Sequence, residues 1–174
     1  FEGHKNETVA IMGRNGMGKT TLFKSLMGVL PLKSGRIEVA GQDVSKDESY
    51  QRVAKGIAYV PESPALYEQF TALEILHMAL DMYDIRRPDR DAWCMQWLER
   101  FSVAHNARRR VRELSKGNVQ RVALAHALVV SPRLLVLGDL FGMFGLGGCD
   151  ALFGFLVDPG GQATNQILDC LADC

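Results

Sequence analysis

The run "GRNGMGKTT", Gly13 to Thr21, holds the residues whose types and spacing point most directly to chemistry. It satisfies G-x-x-x-x-G-K-[ST] through Gly13, Gly18, Lys19 and Thr20. Glycines let a backbone curl until successive N–H groups face phosphate oxygens, and a helix starting at the loop's end adds its positive pole. Arg14, Asn15, Gly16, Met17 and Thr21 complete such a cradle. Lys19 is placed to reach the β- and γ-phosphates, and the Thr20 hydroxyl is placed to ligate Mg²⁺. The ligand this pattern predicts is a nucleoside triphosphate with its metal ion.

A second stretch, "LLVLGDLFGMFG" (Leu134 to Gly145), has the form of a buried strand that delivers one carboxylate, Asp139, to such a site. Both stretches need elements to hold them. "TVAIM" (Thr8 to Met12) is a short apolar run ending at Gly13 and predicts a buried strand, and Lys19 to Met27 predicts a helix stopped by Gly28 and Pro31. "RIEVAGQDV" (Arg36 to Val44) alternates around Ala40-Gly41 as a hairpin does, and "GIAYV" (Gly56 to Val60) predicts another strand. Helical character follows. Thr71 and Glu74 form a capping box for a helix through about Tyr83. Trp93, Trp97 and Phe101 share one face of a second helix over Asp91 to Phe101, a stripe better read as core than as a ligand platform. A third helix is predicted from about Asn118 to Val129. Strand, loop, helix, hairpin, strand, helical insert, helix, strand: the order describes an α/β core interrupted by a helical lobe.

The bulk properties are consistent with one domain. The chain has 174 residues, 47% of them hydrophobic, and its 20 basic and 20 acidic residues cancel. No net field favours nucleic acid, and the basic run "ARRRVR" (Ala107 to Arg112) reads as a solvated face. The four cysteines, Cys94, Cys149, Cys170 and Cys174, lack paired C-x-x-C spacing and are expected as free thiols. Leu134 to Val157 is apolar, but Asp139, Asp150 and its glycines make it a poor membrane helix. Phe1 to Glu7 is polar and has no leader-like apolar segment, so a soluble protein is expected.

Three further stretches, in the right order, resemble the ATP-binding cassette (ABC) transporter ATPases. "AYVPESPALYEQFTALEIL" (Ala58 to Leu76) is similar to the Q-loop region, "LSKGNVQR" (Leu114 to Arg121) to the LSGGQ signature, and "SPRLLVL" (Ser131 to Leu137) to the approach to Walker B. The wording is most like ATPases of the exporter type that serve ABC-2 membrane subunits. The resemblance implies a P-loop NTPase (RecA-like) α/β core with a β-hairpin subdomain and an inserted helical lobe, cut short at both ends. It places the core in 1–62 and 130–157, the lobe in 63–129 and an atypical tail in 158–174. The implied cofactors are ATP and Mg²⁺. The implied partners are transmembrane permease subunits and a second ATP-binding subunit, in a homo- or heterodimer on the cytoplasmic face of the membrane, without nucleic acid.

Residue by residue, the resemblance puts Glu62 at the Q-loop position that senses the γ-phosphate and Mg²⁺, as a catalytic and metal-site residue beside Thr20 and Asp139. Ser115 and Gly117 match signature residues that contact ATP held on the partner subunit, while Lys116 and Asn118 replace a glycine and a glutamine. Laid without gaps, the Mg²⁺-linked aspartate of Walker B falls on Gly138 and the catalytic glutamate on Asp139. The D-loop falls on "GMFG" (Gly142 to Gly145), without its serine and aspartate. A one-residue shift makes Asp139 the Mg²⁺ ligand and leaves no base. No histidine follows His126 to serve as the family's switch histidine, and Phe1 lies too close to the loop to replace the adenine-stacking aromatic. Three readings follow: a transporter ATPase subunit that hydrolyses ATP, a non-catalytic nucleotide-binding module, and a truncated, decayed relative.

Overall fold

The computed structural model describes residues 8–12, 14, 16–61, 64–138 and 151–156. These divide into two compact units, one built from 1–62 with 131–174 and the other from 63–130.

In the first unit, β1 (Thr8–Met12) leads through the glycine-rich loop into α1 (Lys19–Leu26). A minimal hairpin, β2 (Glu38–Val39) and β3 (Gln42–Asp43), turns at Ala40 and Gly41, both with positive φ. That double left-handed turn matches the twist of paired strands. A short helix, α2 (Ser49–Ala54), precedes β4 (Ile57–Val60). After the second unit the chain returns as β5 (Leu134–Leu137), and β6 (Ala151–Leu156) completes the sheet.

The sheet order is β1-β6-β5-β4. β6 runs antiparallel to both β1 and β5, and β4 runs parallel to β5. It follows that β1, β4 and β5 all point the same way, and their C-terminal ends share one edge. Phe153 pairs with both Ala10 and Leu137, so β5 ends level with Ala10, two residues before the end of β1 and two strand spacings (about 10 Å) away. This arrangement brings the end of β1, which leads into the glycine-rich loop, and the end of β5 to one edge, which is what a nucleotide site requires. Phe23 of α1 and Met27 at its C-cap pack with Val39, Val44, Ile57 and Val136 as a buried cluster. Ile57, Val60 and Leu135 to Leu137 are all nearly inaccessible, which is why these strands read as unbroken apolar runs.

The second unit packs α3 (Ala72–Met82), α4 (Arg90–Arg100) and α5 (Lys116–Leu128), with short 3₁₀ turns at Ala104–Asn106 and Val111–Glu113. Trp97 and Phe101 are buried, and Trp93 meets Trp97 edge to face while its indole N–H donates to the Val129 carbonyl at 3.0 Å. The aromatic stripe is therefore core. Arg90 of α4 grips both oxygens of Asp81 on α3 at 2.7 Å, and Arg87 lies over the Trp93 ring. In the basic run Arg108 to Arg110 are exposed, while Ala107 and Val111 anchor it in the core. Cys94 is buried and free, and burial pushes its thiol up to about 11, far from nucleophilic range. The other three cysteines lie outside the described residues.

The capping box appears as the sequence predicts. The Glu74 N–H donates to Thr71 Oγ1 at 3.3 Å, and the Thr71 N–H donates to Glu74 Oε2 at 2.7 Å. Those bonds from Thr71 hold the Glu74 carboxyl below its ordinary range. A lowered carboxylate pKa stabilises the fold above the unfolded value, and that contribution is lost as pH falls through the folded one. Thr71→Ala is expected to cost about 1 kcal/mol at neutral pH. In thermal melts its difference from wild type should shrink in acid below the glutamate range.

Candidate functional site

The loop between β1 and α1 has the backbone the motif demands. Gly16 and Gly18 sit at φ +83° and +89°, where side-chain-bearing residues are strained. A Cβ built at either would meet nothing within 4 Å, so backbone conformation, rather than crowding, selects glycine. The Met17 N–H donates to the Arg14 carbonyl at 3.2 Å, closing a turn. Gly18 caps α1 without a side-chain acceptor, and the helix has no acidic residue in its first turn. Its opening N–H groups are therefore directed at the loop without a competing carboxylate of their own.

Lys19 is the first residue of α1, and its Nζ donates to the Arg14 carbonyl at 3.1 Å. The cation is thus held across the loop and half exposed, in position for an anion. Thr20 and Thr21 follow on the exposed start of the helix. These features fit a chain of phosphates: a glycine turn at positive φ, a helix pole and a positioned ammonium. Gly13 and Asn15 lie outside the described residues. We expect Gly18→Ala to place about 1–2 kcal/mol of strain on the bound loop conformation. Titration should show phosphate-dependent nucleotide binding weakened by about tenfold.

The metal side of the site is sparser. Gly138, which the ungapped reading sets against the family's Mg²⁺-linked aspartate, is buried, and its N–H donates to the Val60 carbonyl at 2.7 Å. It extends the β4–β5 pairing and has no side chain to offer. Glu62 and Asp139 lie outside the described residues. Among the described residues, Thr20 is the one candidate metal ligand at the loop, and no cluster of three or more His, Cys, Asp or Glu side chains gathers to hold an ion. His126 lies on α5 in the helical unit, where burial lowers its pKa and favours neutral imidazole.

In the second unit, Ser115 caps α5, its Oγ accepting from the Asn118 N–H at a long 3.4 Å. Ser115, Lys116 and Gly117 are all exposed, and a Cβ at Gly117 would meet nothing within 4 Å. The serine serves as a helix cap and still presents this helix start outward, so the two roles the sequence suggests are compatible.

The model of the ABC transporter family matches residues 1–140. The chain belongs to the ABC transporter family. Among its relatives, an ABC transporter ATP-binding protein of Rhizobium meliloti is 30% identical over 137 residues, covering 79% of this chain and 51% of the relative. The molybdate/tungstate import ATP-binding protein WtpC of Pyrococcus abyssi is 34% identical, covering 81% and 40%. The lipopolysaccharide export system ATP-binding protein LptB of Haemophilus influenzae is 30% identical, covering 79% and 58%. Relatives named for import and for export thus match about equally, and the chain spans about half their length. An ATP-binding subunit of an ABC transporter has a similar structure, with TM-score 0.64 at 26% identity over 74% of this chain and 52% of that one. A Clostridium perfringens subunit, part of the ABC transporter complex cbiONQ, shares the fold at TM-score 0.65 over 93% of this chain and 61% of that one. As an ABC ATP-binding domain, the chain has an α/β P-loop core, and its second compact unit is helical. No helix among the described residues is long and apolar enough to cross a membrane.

Proposed function

We propose that this ABC domain is the ATP-binding subunit of a transporter, holding the nucleotide's phosphates in loop 13–21. One observation supports the reading: Gly16 and Gly18 at positive φ, the start of α1 and Lys19 Nζ on the Arg14 carbonyl together make a loop suited to an anion. Mg²⁺, when bound with ATP, would neutralise phosphate charge, with Thr20, Glu62 and Asp139 as its candidate protein ligands. Asp139 is the candidate residual base and Glu62 the candidate sensor. Ser115 and Gly117 would face ATP on a second subunit, in a homo- or heterodimer seated on permease subunits at the cytoplasmic face.

A second reading, binding with little turnover, is favoured by the buried Gly138 where a carboxylate would hold the metal. Asp139 is also one methylene shorter than the glutamate it replaces, and a displacement of about 1 Å can cost on the order of 100-fold in rate. Measuring ATP affinity beside Mg²⁺-dependent phosphate release on the same purified protein, with and without a partner subunit, separates the two. Affinity with release supports the hydrolysing subunit. Affinity without release supports the binding module. Absence of both, with non-cooperative melting, contradicts the proposal.

A further inference from the structure

Residues 45–55 carry no motif, yet one of the most deeply buried charges among the described residues lies there. Arg52 of α2 is 2% exposed, and its guanidinium is spent on main-chain carbonyls. NH1 donates to the Ser25 and Leu26 carbonyls at 2.7 and 2.6 Å, Nε to that of Asp47 at 2.9 Å, and NH2 to that of Ser45 at 3.2 Å. One turn earlier on α2, Ser49 Oγ donates to the Met27 carbonyl at 2.7 Å. Two side chains of α2 therefore hold three successive carbonyls, 25 to 27, at the end of α1. Gly28 makes this approach possible. It has φ +72°, and a Cβ there would lie 3.0 Å from Arg52 Nε and from the Asp47 carbonyl oxygen.

The carbonyls at a helix C-terminus lack intrahelical partners and carry the negative end of its dipole. A guanidinium there is both a cap and a counter-charge. Although burial lowers its pKa, arginine starts so high that the group stays charged. α1 has eight residues, about 12 Å of helix, so its two ends are mechanically one piece. Its other end is Lys19.

We propose that Arg52 and Ser49 are positioning residues for the nucleotide site: by clamping the end of α1 they fix where Lys19 and the first N–H groups of that helix stand. This rests on the reading of loop 13–21 as the ATP site. The clamp also ties α1 to the chain leading into β4, because the same guanidinium holds the Ser45 and Asp47 carbonyls.

The test measures binding of ATP, and of pyrophosphate as a probe without a base, to wild type, Ser49→Ala, Arg52→Lys and Arg52→Met. All are titrated below their melting transitions with the folded fraction measured. The clamp predicts that Arg52→Met weakens both ligands by about tenfold, that Ser49→Ala weakens them several-fold, and that Arg52→Lys recovers part of the loss. If Arg52→Met does not fold, Ser49→Ala and Arg52→Lys decide the matter. Wild-type affinity in the folded fraction of the variants, even with lowered melting temperatures, overturns the clamp and leaves a stabilising role alone. Lys19→Ala is the control. If wild type and Lys19→Ala bind alike, the loop reading fails, and the clamp with it.

Discussion

Lys19→Ala is expected to weaken ATP binding on the order of 100-fold while leaving the melting temperature nearly unchanged. The side chain lies at the first turn of α1, with its ammonium 3.1 Å from the Arg14 carbonyl, so it is positioned before any ligand arrives. Removing one partner of a close charge pair costs about 2–5 kcal/mol, because the remaining phosphate charge loses its nearest counter-ion. The same residue contributes little to folding. It is half exposed and has no place in the buried cluster, to which Phe23 and Met27 contribute instead. Surface substitutions of this kind stay within about 0.5 kcal/mol in stability. Calorimetric titration beside a thermal melt checks both halves. A large loss of stability, or unchanged affinity, would count against Lys19 as the phosphate ligand.

Leu124→Ala should have the largest effect on folding, a loss of about 2–5 kcal/mol confined to the helical unit. Leu124 is fully buried on α5, a helix whose buried residues include Gln120, Val122, Ala123, Ala125, Ala127 and Leu128. Truncation leaves a cavity that close-packed neighbours only partly fill. Both tryptophans of the chain, Trp93 and Trp97, belong to this unit, and Trp93 bonds the carbonyl of Val129 at the end of α5. Tryptophan fluorescence therefore reports the unit directly. Its melt should move down by on the order of 10 °C or more. Because α5 begins at Ser115 and Gly117, the proposed contacts to a second subunit's ATP, the same change should weaken any association that depends on them.

Local chemistry was readable where a short stretch determines its own geometry. Gly16 and Gly18, the Thr71–Glu74 capping box and the Ala40-Gly41 turn all encode backbone conformations within a few residues, and the turn and the capping box stand where expected. α5 was readable in position, although its start falls at Lys116, nearer the Ser115 cap than expected. What escaped the sequence depends on distant partners. α2 has only six residues, and its capping box uses Glu48 and Gln51 rather than a serine or threonine. Arg52 looks like an ordinary surface arginine until the end of α1 is folded against it. β6 lies in a glycine-rich apolar stretch and is a strand by virtue of pairing on both sides, with β1 and β5. Its antiparallel direction could not be derived from local pattern, since the period of a strand carries no information about its neighbours' direction.

The central claim is that this chain recognises a nucleotide by its phosphates. The most direct test is competition: bound ATP is displaced in turn by pyrophosphate and by adenosine. A site made of Gly16, Gly18, Lys19 and the start of α1 predicts that pyrophosphate displaces ATP, and that adenosine at the same concentration does not. Displacement by adenosine alone, or no saturable ATP binding to be displaced, would contradict it.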